Sequence, residues 1–299
     1  MQFGIFCVQY SKEKAPVFND YVNCDYVNTF LVGDKDYTSE NATASFKAIA
    51  AAHKTCFIYF YELVFKRVDG QGIVDVGEDY ASGPKTVLKE NWKQILLDLK
   101  DYLEQQPFYD AIDGFYIDEP FLCGVCPDDF ETVTGFLAEK FGKRIFCCFS
   151  VAGVAPDVWT AAGVPAITPK AGRYITDAGF DMYHAFDEKY AYITEQMKNR
   201  LGNRDDVRIW QIPCIMNYRG DKDEDHAVKH IDGLYELLKK EKNPGGLMCY
   251  AYYVAPSETE QIGNIGFEHL RGRFKDDAHW KKLEDEIERI GKEICLSDR

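Results

Sequence analysis

The chain is poor in the features that mark several large protein classes. No apolar run approaches the ~18 residues needed to cross a bilayer, so no membrane partner is expected. Positive charge is scarce: 35 Lys and Arg stand against 49 Asp and Glu, for a net charge of −14. Tracking a phosphate backbone needs clustered Lys and Arg, so no nucleic-acid partner is expected either. Ten cysteines in 299 residues are too few for a disulfide scaffold. Cys7, Cys56, Cys147, Cys148, Cys214 and Cys249 fall in strand-like runs, where thiols act as small hydrophobes and suit a reducing compartment. The opening residues Met1-Gln2-Phe3-Gly4-Ile5-Phe6-Cys7-Val8 carry no basic stretch and no small-residue cleavage site, and they read as a strand. The expectation is a cytoplasmic protein, or a secreted one if a leader has been removed. A glycine-rich phosphate turn is also missing, because Gln9-Tyr10-Ser11-Lys12 follows that strand. This argues against an open dinucleotide-binding sheet, and no cofactor is expected.

What is present is a regular alternation. Runs rich in β-branched and aromatic residues occur at 3–10, 26–33, 55–65, 112–119, 144–151, 180–186, 207–216 and 246–254. Between them lie helical periods. Trp92, Ile95, Leu96, Leu99 and Leu103 share one helix face, as do Phe130, Val133, Phe136, Leu137 and Phe141. Ala227, Ile231, Leu234 and Leu238 repeat the pattern, and Trp280, Leu283, Ile287, Ile290 and Ile294 end it. Eight strand–helix units without a composition break predict an α/β protein, a single (β/α)8 TIM barrel over residues 1–299.

In such barrels chemistry sits at the C-terminal ends of the strands, which makes the strand ends a short list of candidates. The sharpest is Asp113-Gly114-Phe115-Tyr116-Ile117-Asp118-Glu119-Pro120. Two adjacent carboxylates closing an apolar strand raise each other's pKa, so that a protonated acid can stand beside an ionised partner. That pairing suits protonation of a leaving oxygen. The competing interpretation is an Asp that caps the next helix beside a solvated Glu. Glu119 is expected as the acid, with Asp118 beside it. Tyr183 would hold the reacting group, and Asp187, Glu62 or Glu258 would be the second carboxylate. Gln9, Tyr59, Tyr61, Glu62, His184, Gln211, Asn217, Tyr250 and Tyr252 are the expected substrate-binding residues. The 19 tyrosines favour sugar, whose rings stack on aromatic faces, although barrel strands also favour aromatics for packing alone. Cys123-Gly124-Val125-Cys126 has metal-ligand spacing but lacks a second pair at a matching distance, so it reads as a loop pair of thiols or a local disulfide, and no metal is expected.

Asp113, Gly114 and Asp118 resemble the fourth-strand signature of chitinase-like family 18 glycoside hydrolases, with Tyr116 at the middle Asp and the Glu one position early. Asp181-Met182-Tyr183 and Gly245-Gly246-Leu247-Met248 are similar to that family's sixth and eighth strands. Asp118-Glu119-Pro120 is one residue from the Asn-Glu-Pro of the large retaining-glycosidase clan, and the adjacent acids also resemble those of spherulin-like and galactosaminidase-like barrels. The resemblance implies a glycoside hydrolase acting on a poly- or oligosaccharide, with amino sugars among the candidates. The protein would be a monomer or small homo-oligomer. Two departures matter. The seventh strand, Ile209 to Tyr218, carries no carboxylate, and adjacent residues on a flat strand point to opposite faces. These departures keep two alternatives open: a non-catalytic carbohydrate-binding barrel, and a metal-dependent barrel lyase or isomerase.

Overall fold

A computed structural model of the protein describes residues 1–6, 15–68, 86–161, 163–183, 187–217, 223–251, 265, 267–271 and 279–297. Eight parallel strands form a nearly closed barrel: β1 (Gln2–Ile5), β2 (Thr29–Val32), β3 (Thr55–Tyr59), β6 (Ile112–Asp118), β7 (Arg144–Ser150), β8 (Asp177–Asp181), β9 (Arg208–Gln211) and β10 (Pro244–Cys249). The sheet runs β1-β10-β9-β8-β7-β6-β3-β2. It returns on itself where the Asn28 backbone N–H donates to the Phe3 carbonyl at 3.0 Å and the Asn28 side chain accepts from the Phe3 N–H.

The helices form the outer layer because their apolar stripes need cover. In α4 (Trp92–Glu104), Trp92, Leu96, Leu99 and Leu103 are buried; in α5 (Pro127–Phe141), Phe130, Val133, Leu137 and Phe141 are. Each such side chain contributes roughly 1.5–3 kcal/mol by leaving water. The helix α2 (Glu40–Ala51) starts at Ser39, whose hydroxyl accepts the Ala42 N–H at 3.1 Å. The helices α1 (Ala15–Asn23), α7 (Asp187–Arg200) and α8 (Glu224–Leu238) and the C-terminal helix Lys281–Leu296 complete the long outer elements among the described residues, and the short α6 (Val151–Val154) follows β7.

Two expected elements are redrawn. The run expected as a strand over 55–65 stops at Tyr59, turns through α3 (Tyr61–Val64) and enters a small antiparallel hairpin of β4 (Phe65–Arg67) with β5 (Thr86–Leu88). The sixth barrel strand begins at Asp177 and ends at Asp181, several residues earlier than expected. Its first residues Asp177-Ala178-Gly179 have low strand propensity, and tertiary contacts override it.

The override is visible at the N-terminal end of the barrel. Inward-facing Asp177 is fully buried, and its carboxylate accepts from Arg144, from Arg208 Nε at 2.9 Å and from Trp210 Nε1 at 2.7 Å. Gln2 donates to Asp113 at 2.6 Å and accepts from Arg144 at 2.8 Å. This polar plug closes one end. Above it Leu31, Phe57, Phe146, Trp210 and Met248 fill the interior, with Phe146 and Trp210 stacked at 4.7 Å between centroids. Gly114 lies where a Cβ would meet the Arg144 carbonyl oxygen at 2.1 Å, so only glycine lets β6 and β7 approach this closely. Plug and aromatic layer leave the opposite, C-terminal end as the open mouth.

Candidate active site

Strand alternation decides what reaches the mouth. On β6, Tyr116 joins the interior cluster, so Asp118 two residues later also faces inward. Its carboxylate accepts the Tyr116 hydroxyl at 2.8 Å and also takes a hydrogen bond from the Cys148 thiol. Burial, and then the Asp181 charge, push the Asp118 pKa up to about 7.

Glu119 would be sent to the outer face if the strand continued. It does not continue, because the chain leaves β6 with Glu119 at φ +37°, in the left-handed region. The Glu119 N–H still donates to the Cys148 carbonyl at 2.8 Å, and its carbonyl accepts from Cys123 at 2.9 Å. This turn lets adjacent acids converge. The Glu119 carboxyl meets that of Asp181 in a hydrogen bond.

Asp181 ends β8, in register with Ser150 of β7, and takes the Tyr183 hydroxyl at 2.6 Å. It is the third member of the cluster. Two carboxyl groups can bond to one another only when one is protonated. Glu119 is held well above the usual carboxylate range by burial, by Asp181 and by Asp118. Asp181 is raised by burial too, but it accepts from both Tyr183 and Glu119, which favours its anion. Glu119 is therefore the proton holder and Asp181 the acceptor. Each acid keeps a partly open edge toward the mouth while protein crowds its other sides.

Beside the acids lies a cavity of about 200 Å³, lined by Phe6, Leu31, Gly33, Tyr59, Tyr116, Asp118 and Tyr250. Its wall is aromatic and apolar, with one carboxylate. Tyr250 stacks on Tyr183 with centroids 5.0 Å apart and planes 8° from parallel.

The structure thus brings together Asp118, Glu119, Tyr183, Tyr59 and Tyr250. Tyr61 lies buried behind Tyr59, and its hydroxyl pairs with Thr86 at 2.9 Å. Glu62 sits in α3, and its carbonyl accepts from Lys89. Gln211 points away from the interior, because Trp210 and Ile212 take the inward positions. It is buried against α7, with its amide nitrogen 3.3 Å from the Thr194 hydroxyl. The Asn217 backbone bridges to Ile265. Asp187 begins α7, and its side chain lies outside the described residues, as do Gln9, His184, Tyr252 and Glu258 altogether. Cys123 and Cys126 are free thiols. Among the described residues no group of three His, Cys, Asp or Glu side chains is arranged to hold a metal ion.

Sequence reasoning missed Asp181 as a candidate acid. A signal was available: Asp181 and Tyr183 stand two apart, as do the inward-facing Tyr116 and Asp118. The expected strand ran from residue 180 to 186, which put Asp181 at its start and not at its C-terminal end.

Whole-chain comparison with solved structures is consistent with this architecture. A GH113 β-1,4-mannanase superposes with a TM-score of 0.57 at 9% identity, covering 99% of this chain and 100% of its own. A GH5_18 protein from Bifidobacterium longum subsp. longum ATCC 55813, in complex with Manb1-4GlcNAc, gives 0.64 at 10% identity, covering 99% of this chain and 78% of its own. The chain has the (β/α)8 barrel fold that these proteins share. The active domain 2 of a chitinase from Pyrococcus furiosus shares that barrel as well, at a TM-score of 0.54 and 12% identity, covering 96% of this chain and 95% of its own. No protein-family model and no curated protein matches the sequence.

Proposed function

We propose that the protein is a glycoside hydrolase acting on a poly- or oligosaccharide, with Glu119 as the general acid. The observation that carries this reading is the Glu119–Asp181 carboxyl pair at the barrel mouth, where burial and the Asp181 charge hold the Glu119 carboxyl well above the usual carboxylate range. The aromatic cavity beside it suits a sugar ring, and the superposing proteins include a mannanase and a chitinase, which favours hexose or hexosamine units.

On this reading the glycosidic oxygen replaces Asp181 as acceptor of the Glu119 proton. The anomeric carbon–oxygen bond breaks, and the leaving alcohol departs with that proton. Asp181, held by Tyr183, supplies the negative charge that stabilises the oxocarbenium-like carbon. Water adds to that carbon and returns a proton to Glu119. Asp118, in the cavity wall, orients a ring substituent.

Glu119→Gln preserves shape and removes the acid. Turnover of soluble mannan, chitin oligosaccharides and aryl glycosides should fall roughly 10²–10⁴-fold on whichever is hydrolysed. Equal turnover by the variant would remove Glu119 from its role. A second reading, a sugar-binding barrel without turnover, draws on the inward residues of β9, Trp210 and then Ile212, which put no carboxylate at that strand end. Calorimetric sugar binding with no release of reducing ends would favour it.

A further inference from the structure

The Asp181–Met182–Tyr183 arm carries two of the groups just assigned, and it leaves the β7–β8 ladder after Asp181, the last residue of β8. One outer-layer residue grips it. Tyr190, on the first turns of α7, is fully buried, and its hydroxyl bonds both polar groups of the Met182 backbone. It accepts the Met182 N–H at 3.0 Å and donates to the Met182 carbonyl. The ring itself is wedged, stacked on Phe180 at 5.1 Å on one side and edge-on to His230 of α8 at 5.4 Å on another. Phe180 and Met182 flank Asp181, so contacts to both neighbours come from a single side chain.

We infer that Tyr190 is a positioning residue for the proposed catalytic cluster. It pins the Met182 peptide so that the Asp181 carboxylate and the Tyr183 hydroxyl both face the mouth and meet. The N–H and the C=O of Met182 belong to the two peptide planes on either side of its Cα, so a phenol that bonds both restrains both planes. With those planes held, the side chains of Asp181 and Tyr183 have little freedom.

Among the described residues the titratable groups that face Asp181 include Glu119, Asp118 and Tyr116 from β6 and its end, Cys123 beyond it, Cys148 from β7, Tyr190 from α7 and Tyr183 from its own arm. The inference rests on the glycosidase reading for its activity test, so the deciding test needs no substrate. Tyr190→Phe keeps the wedged ring and removes only the hydroxyl. Carbon-13 carboxyl NMR would follow the Asp181 titration in wild type, Tyr190→Phe, Tyr183→Phe and the double variant. Release of the arm loosens the Tyr183 hydrogen bond that favours the anion, so the Asp181 pKa should rise by about half a unit or more in Tyr190→Phe. If Tyr190 acts through Tyr183, the double variant should match Tyr183→Phe alone. An unmoved titration, full additivity or failure of Tyr190→Phe to fold would overturn the assignment. So would an equal shift from Tyr192→Phe, which removes a neighbouring α7 hydroxyl bond to Asp157. If a glycoside is hydrolysed, kcat should fall roughly 10- to 100-fold with KM nearly constant. If none is, the titration still decides the positioning role while the glycosidase reading fails separately.

Discussion

Replacing Asp118 by Asn should make the protein more stable, and by an amount that depends on pH. In the unfolded chain the Asp118 carboxyl ionises near 3.8, whereas in the folded protein burial and Asp181 hold its proton to about 7. Between those values the native state binds more protons than the unfolded state. Its stability therefore falls as pH rises through the window, and the loss is complete above about 7. The full difference corresponds to roughly 4 kcal/mol at most. Asn matches the shape, still accepts the Tyr116 hydroxyl and carries no charge. Carboxylates held low by ion pairs, such as Asp206 with Arg204, titrate in both proteins and cancel from the comparison. Urea unfolding of wild type and Asp118→Asn at half-unit steps from pH 4 to 8 would give the difference curve. It should start near zero, open upward from pH 4 and level off above 7, while any activity is lost. A flat curve would refute the burial argument, and a variant less stable than wild type at pH 7.5 would reverse its sign.

Further outcomes follow from the barrel's closed end. Arg144→Met strands the fully buried Asp177 with one charge partner fewer, and should cost roughly 3–5 kcal/mol in denaturant unfolding. The loss should shrink at low pH, where Asp177 protonates, and an equal loss at all pH values would contradict the charge explanation. Gly114→Ala forces a methyl group onto the Arg144 carbonyl and should destabilise by about 1–3 kcal/mol or more. A variant within about 0.5 kcal/mol of wild type would show that the two strands can part without cost.

Much of the barrel was legible in sequence because its signals are local. Helix faces such as Leu96, Leu99 and Leu103 repeat at helical period, and strands such as Arg144–Ser150 are short, apolar and bounded. The sixth barrel strand was misplaced because Asp177 and Gly179 are poor strand formers held by distant partners, Arg144, Arg208 and Trp210. No local rule sees those contacts. The Asp118–Glu119 pair was legible as a candidate site, but its geometry was not. Alternation sends neighbours apart, and only the positive φ at Glu119 brings them together. Asp181 depends on the same non-local information, since its part in the site exists only once β6 and β8 flank β7. Gln211 erred in the other direction: a polar residue on a strand end suggested a ligand contact, and the register turned it toward α7.

The plug at the closed end also bears on how the chain reaches its native state. Gln2 of β1 meets Arg208 across 206 residues of sequence, and β1 pairs with β10 in the register Gln2 to Gly246. During synthesis β1 can lie against β2, but its other edge stays open until β10 has left the ribosome. Until then the Arg144 and Arg208 guanidinium groups lack their Gln2 partner. The barrel is therefore a late-closing ring whose final step joins one of its earliest and one of its last strands, a topology that folds slowly and leaves an adhesive edge exposed meanwhile.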